Sequence, residues 1–203
     1  MSDIRKCHKM KLESLKIHTL NVLLVTVGYV IAMILVKEVI VPAQQTYLPS
    51  VTVFAALIFP LHGVRVIAAW LFGAWSVVYL FAANFFMHFI LTPDADLTTK
   101  SILAWFLVSS VAFVTFETLR LAGVNLYAAN RPTTLATWRH LLIVGFISSV
   151  LNSVGHNIIF ASNILPQDSI PIMAAFLIGD TTGTLVCFGA LMLTFRGLRS
   201  LQR

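Results

Sequence analysis

The sequence predicts an all-α protein, a polytopic transmembrane helix bundle of six spans with both termini cytoplasmic, and three observations predict it. Of the 203 residues, 58% are hydrophobic and only 11% are charged, where soluble domains carry roughly a quarter of charged residues. The apolar residues gather into runs of bilayer-crossing length, separated by short polar loops. The basic residues collect at alternate ends of those runs. A single integral membrane domain over residues 1–203 fits this pattern, because no stretch is polar and long enough for a soluble domain.

Taken in order, Met1 to His18 is a basic tail with Arg5, Lys6, Lys9, Lys11 and Lys16 against Asp3 and Glu13. The apolar run after it lacks a small-residue cleavage site, so a retained helix is expected rather than a cleaved signal peptide. The first span runs from Leu20 to Val41 and is closed by Pro42 and the polar loop Ala43 to Thr46. The chain is then apolar from Tyr47 to Leu91, too long for one helix, and is cut at Phe59 to Arg65. Two spans are expected: Leu48 to Pro60, short enough to be re-entrant, and Val66 to Leu91, with a weak bend at Gly73. Ser101 to Gly123, Trp138 to Ser162 and Ile170 to Phe195 are the fourth, fifth and sixth spans, separated by loops around Pro93, Pro132 and Pro166.

Orientation follows from counting charges. With both ends inside, only Lys37 and Lys100 of the fourteen Lys and Arg residues fall outside, and Arg65, Arg120, Arg131 and Arg139 join the two basic tails on the cytoplasmic side. The net charge of +6 therefore reads as topology and contact with the lipid bilayer and its anionic headgroups, and no nucleic acid partner is expected. No cofactor and no metal are expected either. His88 and His156 with Asp180 offer no short-spaced ligand pair, and Cys7 and Cys187 are placed too differently for a disulfide. The chain carries no His-Glu-x-x-His helix, phosphate-binding Gly-Lys-Ser/Thr loop or nucleophile elbow. No catalytic residues are assigned, and the expectation is a non-enzyme.

The polar residues inside the spans are the candidates for function. Asp180 sits in Gly179-Asp180-Thr181-Thr182-Gly183-Thr184, near the middle of the last apolar run. A charge at that depth costs ~2.5–3.5 kcal/mol on insertion scales, so Asp180 must face protein. Gly179 and Gly183, four apart, allow a neighbouring helix to approach closely. In the fifth span Ser149, Asn152, Ser153 and His156 share one helical face. Depth counting puts Asn152 level with Asp180, and His156 level with Asn84 nearer the outside. These four groups, Asp180, Asn152, His156 and Asn84, form either a ligand site or the polar glue of a bundle. On the cytoplasmic side, Glu117 is expected to pair with Arg65 or with Arg120, one turn away, as a structural ion pair. Trp70, Trp75, Trp105 and Trp138 read as interfacial anchors or lipid-facing bulk.

Two stretches resemble a known family. Pro60-Leu61-His62-Gly63-Val64-Arg65, followed by Ala68, Ala69, Leu71 and Gly73, is similar to the Pro-x-x-Gly start of the bacterial membrane-associated sensor domain of the first type. Gly179-Asp180-x-x-Gly183-x-Leu185-Val186 resembles that domain's Asp-containing final helix. The resemblance implies a multi-pass module of the bacterial inner membrane that perceives a signal and passes it to an output domain. Here no kinase, cyclase or phosphodiesterase sequence follows, and the family has more spans than six. A sensor-like or accessory module would therefore act through a membrane-protein partner. The arrangement also looks like the substrate-binding component of energy-coupling-factor transporters, which implies uptake of a small-molecule ligand that the sequence does not identify.

Overall fold

A computed structural model describes residues 2–47, 56–91, 96–128 and 135–201. Every regular element among them is helical. Helix α1 (Ser2–Leu35) continues through a π-helical stretch (Val36–Ile40) into α2 (Val41–Tyr47), and is followed by α3 (Pro60–Phe72), α4 (Trp75–Leu91), α5 (Thr99–Leu121), α6 (Leu135–Ile159), a 3-10 turn (Pro166–Asp168) and α7 (Ser169–Leu201). Among the described residues, Leu12–Tyr47, Thr99–Leu121, Thr137–Ile159 and Pro166–Ser200 are helices long and apolar enough to cross a membrane, whereas Pro60–Phe72 and Trp75–Ile90 are apolar but shorter.

The helix stop expected at Pro42 does not occur. Proline lacks an N–H and its ring collides with the carbonyl four residues back, so an unmodified α-helix would kink there. Instead the ladder widens just before it: the Val41 N–H reaches back five residues to the Val36 carbonyl. The wider turn absorbs the ring, and the helix runs on to Tyr47.

The second and third spans also differ from the expectation. Residues 48–55, most of the span placed at Leu48 to Pro60, lie outside the described residues, and Ala56 to Phe59 is non-helical. Pro60 then takes the first position of α3, where a missing N–H costs nothing and the fixed φ suits the helix. The chain reverses at Gly73, not at Pro60 to Arg65. Gly73 has φ +54°, a conformation that other residues adopt only under strain. Arg65 and Asn84, on either side of it, both reach the Tyr29 hydroxyl, so α3 and α4 are the two arms of a hairpin.

From α4 onward, neighbours in sequence pack antiparallel. Asn84 on α4 bonds Ser109 on α5, and Leu107 on α5 lies against Gly155 on α6. Asn157 meets Ser169, and Trp138 meets Phe188, at opposite ends of the α6–α7 contact. Short α3 is the centre of the bundle and touches α1, α4, α5, α6 and α7. It divides the interior into two apolar clusters. One holds Val25, Tyr29, Leu61, Tyr79 and Leu80, and the other holds Val66, Ala112, Phe116, Leu141 and Phe188. Leu20, Leu23, Leu24, Val27 and Ile31 leave one face of α1 exposed and apolar, as a lipid-facing helix requires. Because lipid tails are as apolar as these side chains, close packing and buried hydrogen bonds hold such a bundle together more than the hydrophobic effect does.

Candidate functional site

The site begins where α7 meets the non-helical residues before α3. The Phe59 N–H donates to the Gly179 carbonyl at 2.8 Å. The Thr182 hydroxyl donates to the Leu57 carbonyl, and the Leu57 N–H donates to Gln44 Oε1 at 2.8 Å. These bonds satisfy peptide groups that no helix satisfies, which is the condition for irregular backbone at membrane depth. Gly179 and Gly183 make the contact possible. A Cβ at Gly179 would stand 2.2 Å from the Ala56 carbonyl oxygen, and one at Gly183 would stand 2.1 Å from the Phe59 carbonyl carbon. The close approach inferred from the glycine pair is therefore present, but the partner is an irregular strand of backbone instead of a helix.

Asp180 lies between these glycines and is 2% exposed. Asn152 Nδ2 donates to its Oδ2 at 2.6 Å, and His62 Nδ1 stands 3.3 Å from the same oxygen without hydrogen-bond alignment. On its other edge, His62 Nε2 contacts the Ser148 hydroxyl at 2.9 Å and the Gly145 carbonyl at 3.1 Å. Ser148, His62 and Asp180 thus have the connectivity of a nucleophile, base and orienting acid. Ser148 is fully buried.

A cavity of about 150 Å³ opens beside this network, lined by Ala56, Phe59, Arg65, Val108, Asn152, His156, Phe176, Gly179 and Asp180. Asp180 is eleven residues into α7, about 16 Å along its axis, or half of a typical ~30 Å hydrocarbon core. His156 Nδ1 bonds the Asn152 carbonyl at 3.0 Å, and its ring stacks on Phe160 and Phe176. Asn152 and His156 therefore join Asp180 as the sequence suggested. Asn84 does so only at a distance, as an acceptor for Tyr29, which in turn accepts from Arg65 Nε at 3.0 Å and Nη2 at 2.8 Å.

Arg65 is the largest departure. The expected cytoplasmic ion pair forms without it: Arg120 Nη2 meets Glu117 Oε2 at 2.5 Å, and the Tyr127 hydroxyl donates to Glu117 Oε1 at 2.7 Å. Arg65 is instead 4% exposed inside the bundle, its guanidinium 5.7 Å from the Tyr29 ring centre and 5.5 Å from that of Phe59. The cause is the later reversal of the chain, at Gly73, which carries Arg65 two helical turns up from the end where the loop was expected. Among the described residues it forms no ion pair, and its Nη1 and Asn152 Oδ1 have no hydrogen-bond partner. His62, Arg65, Tyr29 and Phe59 were not assigned to this site from the sequence. A usable signal was there in Pro60, His62 and Arg65, where a helix-starting proline is followed by two cationic-type residues three apart on one face.

No protein-family model, curated protein or solved structure matches the chain.

Proposed function

We propose that the protein is a non-catalytic integral membrane module that holds a small polar solute in the Asp180 cavity and works through a membrane-protein partner. In this reading it crosses the inner membrane of a bacterium six times, with both termini cytoplasmic and α3, with the residues before it, serving as a broken second span. One observation carries the reading: a cavity at mid-depth is lined by a buried guanidinium, a buried carboxylate and an amide, and two of those side chains keep an unpartnered polar atom. Orphaned buried groups of this kind are costly in a finished core and useful in a site completed by a ligand. Irregular backbone and a half-helix beginning at the membrane midplane are also how membrane carriers build solute sites. The sensor-like and uptake roles both begin with this binding step.

Thiol labelling tests the arrangement. In a chain carrying Cys7→Ser and Cys187→Ser, a single cysteine replacing Phe176 in the cavity wall is expected to react with a small water-soluble methanethiosulfonate. It should do so from the same side as Ser162→Cys and the opposite side to Asn125→Cys. Ile178→Cys, on the exposed face of α7, is the unreactive control. No reaction at position 176 from either side would defeat the solute-site reading, and labelling of positions 162 and 125 from one side would defeat the topology.

A further inference from the structure

The chemistry of the cavity wall specifies the class of solute, an inference that rests on the solute-site reading. Apart from His156, whose Nδ1 is spent on the Asn152 carbonyl, its polar side chains fall into two unlike halves. Arg65 is a permanent cation whose Nε and Nη2 are engaged by a neutral phenol, leaving Nη1 as an unused donor. Asp180 and Asn152 are the acceptor half. Asn152 spends its Nδ2 on the Asp180 carboxylate, which leaves its Oδ1 as an unused acceptor next to that carboxylate. Arg65 and Asp180 line the same cavity, yet they form no ion pair with each other.

A solute with a single charge would satisfy one half and leave the other facing apolar walls. A solute with an anionic and a cationic group a few atoms apart would satisfy both and bring no net charge into a low-dielectric site, where an unbalanced charge is expensive. The volume of about 150 Å³ corresponds to about five water molecules at ~30 Å³ each, which limits the solute to a handful of non-hydrogen atoms. The rest of the wall, Ala56, Phe59, Val108 and Phe176, suits a short alkyl group.

We infer that the cavity takes a small zwitterion of the α-amino-acid type, its carboxylate on Arg65 and its ammonium between Asp180 and Asn152 Oδ1. A matched series of probes tests this: alanine carries both groups, propionate only the carboxylate and ethylamine only the ammonium. With the full chain in detergent micelles, alanine is expected to raise the unfolding temperature and to slow thiol labelling of Phe176→Cys. The other two should need at least roughly tenfold higher concentration for the same effect. Val108→Phe, which fills the cavity without touching the polar network, should fold and lose the response to alanine. Arg65→Gln should lose it as well, provided that variant folds.

Propionate or ethylamine acting as well as alanine would overturn the zwitterion and leave the solute site standing. So would a Phe176→Cys that labels freely and is protected by none of the three. An unchanged alanine response in Val108→Phe would place the binding elsewhere and overturn the inference. A Phe176→Cys that never labels would remove the solute site itself.

Discussion

Asn152 donates a 2.6 Å hydrogen bond to the carboxylate of Asp180, twenty-eight residues later in the chain, and this bond ties α6 to α7 at the depth where His62 of α3 meets the same oxygen. Three helices therefore meet at one carboxylate oxygen. The arrangement explains how an ionisable group is carried inside an apolar bundle: it faces an amide donor and an imidazole, and only 2% of the residue is exposed.

Asp180→Ala is expected to destabilise the bundle by about 1–3 kcal/mol, because Asn152 Nδ2 would lose its acceptor while remaining buried. Asp180→Asn keeps the volume and one carbonyl acceptor and should cost about half as much. Equilibrium unfolding in mixed micelles with increasing dodecyl sulfate measures both. An alanine variant that unfolds with the wild type would mean that the network contributes nothing to the fold.

Gly179→Ala and Gly183→Ala should be the most damaging small substitutions in α7. Each methyl would collide with backbone, at 2.2 Å from the Ala56 oxygen and 2.1 Å from the Phe59 carbonyl carbon, and backbone cannot rotate away as a side chain can. The expected loss is above ~3 kcal/mol, or failure to assemble. Gly189→Ala, which meets nothing within 4 Å, should stay within ~1 kcal/mol of wild type. Size-exclusion profiles with the same unfolding titration compare the three, and a wild-type profile for Gly183→Ala would mean that α7 and residues 56–59 are not in contact.

Arg120→Ala should leave the unfolding midpoint unchanged, since the Glu117–Arg120 pair is within one helical turn and the arginine side chain is half exposed. Tyr127 stacks on Phe116 and donates to Glu117, and burial followed by the nearby carboxylate pushes its phenol well above the usual tyrosine range. It therefore stays a donor throughout the physiological pH range. Tyr127→Phe should loosen the segment after α5 more than Arg120→Ala does, measured by hydrogen exchange at residues 122–128. A larger effect from Arg120→Ala would show that the ion pair, not the phenol, holds that end.

Much of the site was legible without coordinates, and the reasons are local. A carboxylate in the middle of an apolar run must face protein. Helical periodicity puts Ser149, Asn152, Ser153 and His156 on one face, and a short loop makes α6 and α7 antiparallel neighbours, so residue counting alone brings Asn152 level with Asp180. The presence of a first spanning helix, the α5–α7 bundle and a close approach at the glycines follow from the same length and spacing rules, although neither the end of that helix nor the glycines' irregular partner does.

The rest depended on where the chain turns, and that was decided by long-range contacts. The run from Tyr47 to Leu91 is apolar apart from the cut at Phe59 to Arg65, and composition points to a reversal there as readily as at Gly73. The choice follows from bonds between residues far apart in sequence. Leu57 and Phe59 bond α2 and α7, which lets the backbone stay non-helical up to Pro60. Tyr29 accepts from Arg65 and bonds Asn84, which folds α3 against α4. With the turn moved to Gly73, an arginine that sequence alone offers as one of two partners for Glu117 becomes a wall of the Asp180 cavity. A periodicity rule assigns residues to a face of one helix, whereas a buried charge is placed by the partners that several helices bring to it.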